Sequence, residues 1–160
     1  MKLFILFSFF LTVCFDVFTQ GEYVQVKMEK YIASSMLESE IQIIVDKIKP
    51  KDSQLCFVVN IEPRGDDYII FVSTTISVYK TAIPEYVGYF EVKERQFLML
   101  QNTPELFFTS CGQGTISINV EPEPDVDPQK PFSTLLYVDE LPMWIMRYEK
   151  GIFTTVFAAY

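Results

Sequence analysis

The sequence contains no histidine. Without histidine the chain can build neither a Ser-His-Asp nor a Cys-His catalytic arrangement, and no histidine-ligated metal site. Glycine is also scarce, and its one cluster, Gly112-Gln113-Gly114, precedes a strand-like run instead of a helix. A phosphate-binding loop needs a helix N-terminus at that point, so we interpret the cluster as a turn. The residues therefore predict a protein that is not an enzyme and has no cofactor and no metal site.

The first 21 residues have the layout of a secretory signal peptide. Lys2 precedes an apolar run from residue 3 to 15, and Thr19-Gln20-Gly21 places small residues before a cleavage site after Gly21. A transmembrane anchor is the alternative, but the run is short of the roughly 20 apolar residues that a spanning helix needs, and Asp16 interrupts it. Lipid attachment at Cys14 is a second alternative. We expect a secreted or periplasmic protein without stable membrane insertion after cleavage.

Cleavage would leave residues 22–160, which is the length of a single domain. The leader carries one cation and one anion, so this domain keeps the net charge of −8 of the whole chain. Nucleic acids and anionic membranes attract cationic surfaces, so neither is expected as a partner. A basic protein fits this charge, although the charge also serves solubility alone.

Cys56 and Cys111 are the cysteines that follow the leader. They are too few for a structural zinc site. In an oxidising compartment such a pair predicts one disulfide. That bond would close a loop of about 55 residues and stabilise the fold by roughly 4 kcal/mol in the loop-entropy view. Two buried free thiols are the alternative.

The periodicity of apolar residues predicts one helix followed by strands. Ser35 and Glu38 form a capping-box pattern, an apolar stripe runs from Leu37 to Ile48, and Pro50 would end the helix. The preceding segment, 23–32, fits either a short strand or a helical turn. After Lys51 the pattern alternates with a period of two, which is typical of strands. Strands are expected near residues 55–62, 68–78, 86–93, 97–100, 116–120, 135–138, 144–148 and 152–157. We therefore predict an α+β fold, in which one N-terminal amphipathic helix packs on a largely antiparallel, meander-like sheet of about six to seven strands.

The stretch VEPEPDVDPQKP, residues 120–131, concentrates acids and prolines. If it stays extended, Glu121, Glu123, Asp125 and Asp127 line one side as an acidic rail. The prolines would then protect this edge from pairing with another chain. A polyproline II backbone would disperse the carboxylates instead, and neither geometry encloses a Ca²⁺ ion. The rail is a candidate surface for a basic partner, and a solvated connection is the alternative.

These patterns favour a small exported acidic domain that binds a protein, for example an inhibitor or immunity-type protein that masks a basic partner. A carboxylate-based hydrolase acting on an envelope glycan is the first alternative, because glycoside hydrolysis needs only two acids. A structural or Ca²⁺-binding envelope component is the second. Acids proposed for the hydrolase are Asp66, Asp67, Glu85, Glu91, Asp139 and Glu140. Tyr89, Phe153 and Phe157 are candidates for an aromatic binding patch, with a core position as their alternative.

Overall fold

The computed structural model describes residues 22–48, 55–100, 103–121 and 141–159. Strands hold 64% of these residues and helices 17%. The elements are β1 (Glu22–Ala33), α1 (Ser35–Lys47), β2 (Cys56–Arg64), β3 (Asp67–Thr75), β4 (Val78–Tyr79), a 3₁₀ helix (Lys80–Glu85), β5 (Gly88–Val92), β6 (Arg95–Met99), β7 (Phe108–Glu121), β8 (Met143–Glu149) and β9 (Ile152–Ala159).

The nine strands form one mixed sheet in the order β4-β7-β1-β5-β6-β2-β3-β8-β9. Three of the neighbouring pairs are parallel, namely β1 with β5, β2 with β6 and β4 with β7. The predicted α+β meander of six to seven strands with an N-terminal helix is therefore wrong. The described part of the protein is mostly β-sheet, its first element is a strand, and its strand order departs repeatedly from the chain order.

The main cause of this error is β1. The segment that fits a strand or a helical turn in the sequence is a strand of 12 residues, paired with β7 along nearly its whole length. The register shifts between Glu29 and Tyr31, where Cys111 and Gly112 of β7 lie opposite a single residue of β1. Gly112 has a φ of 94°, a value that suits glycine. The predicted turn at 112–114 is therefore wrong, because these residues continue β7 through a bulge.

Two apolar cores lie on the two faces of the central strands. In β2, Phe57 and Val59 belong to the first core, and Val58 belongs to the second. This alternation follows from the period of two in a strand, so β2 is covered on both faces. The first core also contains Leu37, Ile41, Ile44, Phe90, Phe97, Phe107, Trp144 and Tyr148. The second core contains Met28, Val78, Tyr89, Leu98, Ile116, Ile118 and Val120. Because the second core joins residues of β1, β4 and β7 to β2, β5 and β6, the β4-β7-β1 portion packs over that face of the sheet.

The helix begins one residue earlier than its predicted capping box. Ser34 is the N-cap, and its Oγ accepts a hydrogen bond from the Leu37 amide at 3.5 Å. At the other end, Lys93 of the β5–β6 turn forms an ion pair of 2.8 Å with Asp46. The helix ends at Lys47, and Pro50 lies outside the described residues.

Candidate binding surface

Strand β9 lies at one end of the sheet and pairs with β8 alone among the strands that the structure describes. In an antiparallel pair, successive residues direct their backbone groups alternately toward and away from the neighbouring strand. Half of the N–H and C=O groups of β9 therefore point away from β8. Such an edge is a template for the addition of another strand.

The composition of β9 lacks the residues that most often protect such an edge. The eight residues from Ile152 to Ala159 include no charge and no proline. Lysine and proline are the residues that commonly block an edge strand. Ile152 is 67% exposed, Val156 is 63% exposed and Phe157 is 45% exposed.

The register extends this apolar surface inward from the edge. Phe157 lies opposite Ile145 of β8, and Ile145 lies opposite Phe71 of β3. The neighbouring residues of β8, Trp144 and Met146, belong to the first core on the helix side. Phe157, Ile145 and Phe71 therefore occupy the face opposite α1. We call Ile152, Val156, Phe157, Ile145 and Phe71 the β9 patch.

A bulge shapes the outer part of the β9 patch. The register shifts between Ile145 and Met146, which lie opposite Phe157 and Thr155. Val156 is consequently the extra residue of β9 and has no opposite residue in β8. Bulges of this kind reorient side chains at sheet edges. The result is two adjacent exposed apolar side chains, Val156 and Phe157, near the middle of β9.

The charged residues beside the β9 patch neutralise each other. Arg147 contacts Asp67 at 2.6 Å and Glu149 at 3.1 Å, and Lys150 lies 3.9 Å from Glu149. The hydrogen bond to Asp67 raises the pKa of Arg147. This part of the surface therefore offers backbone and apolar groups and no excess of either charge.

The opposite end of the sheet is divided between β4 and β7. Strand β4 contains only Val78 and Tyr79, which pair with Val120 and Glu121 of β7. The rest of β7, from Phe108 to Asn119, pairs with β1 alone among the strands that the structure describes. A strand as short as β4 offers few backbone groups to another strand.

Only the first residue of the acidic rail lies in the described part of the chain. Glu121 is the last residue of β7, is partly buried, and lies opposite Tyr79 of β4. Glu123, Asp125 and Asp127 lie outside the described residues. The rail therefore remains a sequence prediction.

The predicted disulfide between Cys56 and Cys111 is not formed. Both are free thiols, with Cys56 partly buried against the second core and Cys111 exposed. The physical reason is position along β7, since Cys56 lies near Ile116 and Asn119, toward the end of that strand, whereas Cys111 lies near its start. Burial raises the pKa of Cys56 to about 11. The Cys111 thiol instead donates a hydrogen bond to the carbonyl of Lys30 at 3.2 Å.

Of the acids proposed for hydrolysis, two are bound to cations of other strands. Asp67 contacts Arg147, and Glu91 accepts a hydrogen bond of 2.7 Å from Lys30. The Lys30 hydrogen bond, with a second from Gln96, lowers the pKa of Glu91, so this carboxyl stays ionised. A proton-donating acid needs the opposite shift.

The remaining proposed acids are exposed or lie outside the described residues. Asp66 and Glu85 are exposed, and Asp139 and Glu140 lie outside the described residues. Within residues 22–48, 55–100, 103–121 and 141–159, no three cysteine, aspartate or glutamate side chains converge to hold a metal ion.

A small cleft of about 170 Å³ lies beside the end of β7, near Tyr23, Cys56, Glu94 and Asn119. Asn119 donates a hydrogen bond of 2.9 Å to the Ile76 carbonyl, and its buried Oδ1 has no hydrogen-bond partner in the described part of the chain. Ligand pockets usually measure about 300–1,000 Å³, so this cleft is small for an organic ligand. The β9 patch is the stronger candidate.

The aromatic candidates from the sequence divide between core and surface. Tyr89 is buried in the second core, and Phe153 packs against the first. Phe157 alone of the three belongs to the β9 patch. The sequence shows that residues 152–159 carry no charge, which is a feature of an unprotected edge. Only the strand order reveals that this segment is an edge.

The α-helix that the described residues contain, α1, is not long and apolar enough to cross a membrane. No protein-family model, curated protein or solved structure matches the chain.

Proposed function

We propose that this protein is an exported, non-enzymatic protein-binding domain whose partner adds an extended strand to β9. The observation that carries the proposal is the edge itself, which presents eight uncharged residues and one row of backbone groups directed away from β8. Strand addition is a recurrent mode of protein recognition, in which backbone hydrogen bonds give affinity and alternate side chains give specificity.

The β9 patch supplies the apolar part of this binding. Ile152, Val156 and Phe157 are each roughly half exposed or more. Complete burial of one such side chain stabilises by about 1.5–3 kcal/mol relative to full exposure. Burial of the remaining exposed area of all three would offset part of the entropy lost on association.

Export is proposed from the leader. Strand β1 begins at Glu22, which would be the first residue after cleavage behind Gly21. Cleavage there would preserve every described pair between β1 and β7, from Glu22 with Val120 to Ala33 with Phe108.

A basic partner was expected from the net charge of −8 and from the acidic rail. The β9 patch has no charge of its own, so we assign specificity to shape and backbone pairing. Overall charge then alters the rate of encounter more than the strength of the bound state.

The test is selection of extended peptides from a random display library against the wild-type protein and against Ile152→Lys. The matched control is Ile32→Lys, because Ile32 is also exposed, at 59%, but lies in β1, away from β9 in the strand order. We expect peptides that bind the wild type and Ile32→Lys and fail to bind Ile152→Lys.

Amide hydrogen exchange locates the contact. Binding of a selected peptide should slow exchange at amides of β9 and leave those of β4 unchanged. Peptides that bind Ile152→Lys as tightly as the wild type, without protection of β9, would contradict the proposal.

A further inference from the structure

We infer that the strand which occupies β9 is the β9 of a second copy of this chain, paired antiparallel about a two-fold axis. This inference rests on the proposed function of β9 as a strand-binding edge. It names the partner and predicts a symmetric dimer in which the sheet continues from one copy into the next.

The charge pattern of β9 fits an identical strand. When a strand pairs with its own copy, any charged residue near the axis lies close to the same charge, and like charges opposite each other are destabilising. No residue from Ile152 to Ala159 carries a charge, so the antiparallel self-pair has no such conflict in any register.

The side chains also match each other. Residues 152–157 of β9 are all isoleucine, phenylalanine, threonine or valine. Aromatic and β-branched side chains that pair across strands stabilise a sheet. In a two-fold antiparallel pair, the Phe157 side chains of both copies lie on the same face of the joined sheet. The row of Phe71, Ile145 and Phe157 would then continue into the corresponding row of the second copy.

The symmetry of the contact explains why association would stop at two copies. Pairing of β9 with β9 uses the same surface on both copies and therefore closes. Binding of β9 to the β4 edge of another copy would instead generate a fibre.

The net charge predicts an unusual salt dependence. Each copy carries a net charge of −8, so two copies repel each other through the charges outside β9. Added salt screens this repulsion and strengthens apolar burial. The dimer should therefore become more stable with added NaCl, whereas complexes with a basic partner weaken.

The test is the mass of the purified protein by sedimentation equilibrium over a wide concentration series, at low and at high NaCl. We expect the wild type and Ile32→Lys to approach twice the monomer mass, with a dissociation constant at least several-fold lower at high salt. Ile152→Lys and Val156→Lys should remain monomeric at the same concentrations, because each would place two buried lysines at the pair.

A cross-linking arm reports the geometry directly. Thr155 lies near the middle of β9, where opposite Cβ atoms in an antiparallel pair are about 4.5–5.5 Å apart. The Cys111→Ser background removes the exposed native thiol, and the other native thiol, Cys56, is partly buried. In this background Thr155→Cys should form an intermolecular disulfide under mild oxidation. Addition of Ile152→Lys should abolish that cross-link.

The outcomes separate this inference from the proposed function. A wild type that remains monomeric at every concentration and salt level, yet binds selected peptides through β9, overturns the inference and leaves the proposed function standing. A dimer that persists in Ile152→Lys and Val156→Lys also overturns the inference. A wild type whose β9 binds neither peptides nor a second copy overturns both.

Discussion

Lys30 and Tyr89 form the pair that joins β1 to β5, and through it the β4-β7-β1 portion of the sheet continues into the rest. The Lys30 ammonium lies 5.7 Å from the centre of the Tyr89 ring. The Tyr89 hydroxyl donates to the Thr115 carbonyl at 3.5 Å. Next to Tyr89, a Cβ added to Gly88 would lie 2.5 Å from the carbonyl oxygen of Glu29. The junction therefore depends on the absence of a side chain at Gly88.

Gly88→Ala should destabilise the protein by about 1–3 kcal/mol or more. The reason is that the added methyl group meets the main-chain carbonyl oxygen of Glu29, which cannot rotate away as a side chain can, and the ring of Tyr31. Urea denaturation followed by tryptophan fluorescence measures this change, since Trp144 is buried in the first core.

The control for this prediction is Gly65→Asn in the β2–β3 turn. Gly65 has a φ of 66° and open space around it, a conformation that asparagine tolerates. This variant should stay within about 1 kcal/mol of the wild type. Equal stability of Gly88→Ala and the wild type would show that the close approach of β1 and β5 is not structurally important.

The two thiols of the folded domain should react at very different rates. Alkylation requires the thiolate, and burial raises the pKa of Cys56 to about 11. Cys111 is exposed. Iodoacetamide near neutral pH, followed by peptide mass spectrometry, should therefore modify Cys111 first and Cys56 only slowly. Protection of both thiols until a reductant is added would instead demonstrate a disulfide.

Stability should fall in mildly alkaline solution because of Cys56. In the unfolded chain this thiol ionises near 9.0, whereas in the folded protein its pKa is about 11. The folded state thus retains a proton that the unfolded state has lost, and the free energy of unfolding decreases as pH rises between these values. The loss attributable to this group is on the order of 2 kcal/mol at the upper end of the range.

Tyr86 contributes in the same direction at higher pH, because burial raises its pKa to about 12. Thermal unfolding of the wild type, Cys56→Ala and Cys111→Ala across this pH range tests the assignment. Cys56→Ala should show a flatter decline, with Cys111→Ala as the matched control. Parallel declines in all three proteins would assign the alkaline instability to other groups.

The ion pair between Lys30 and Glu91 should stabilise the fold only slightly. The side chains are 36% and 37% exposed, and pairs of this kind contribute below about 1 kcal/mol. The hydrogen bond between them lowers the pKa of Glu91 and raises that of Lys30. Its contribution is present above the usual pKa of glutamate and is lost as pH falls through the lowered pKa of Glu91. On the alkaline side it is lost as pH rises through the raised pKa of Lys30.

A double-mutant cycle with Lys30→Met and Glu91→Gln measures this coupling from urea denaturation. We expect a small favourable coupling near neutral pH that shrinks with added salt and vanishes well below the lowered pKa of Glu91. A coupling that persists unchanged in strong acid would mean that the two residues interact through packing and not through charge.

The sequence revealed local structure better than strand arrangement. The helix from Ser35 and the strands on either side of residues 149–151 follow from spacing within a few residues. The parallel pairing of β1 with β5 joins residues about 60 positions apart, such as Lys30 and Tyr89, and no local pattern encodes it. The same limit hid the candidate binding surface. Phe157 could be named as a candidate from the sequence. Its availability to a partner strand depends on β9 being an edge, which only the complete pairing order determines.

Cleavage of the leader should produce a protein that begins at Glu22. The reason is the order of residues 1–21, in which a cation, an apolar run and small residues precede the expected cleavage site. Expression in a secretory host, followed by N-terminal sequencing and intact mass measurement, checks this prediction. The matched variant is Gly21→Arg, which places a large cation at the cleavage site and should leave the leader attached. A wild-type product that is secreted with Met1 to Gly21 intact, or that carries a lipid on Cys14, would contradict it. Because β1 begins at Glu22 and pairs with Val120, cleavage should also leave the thermal midpoint of the domain unchanged.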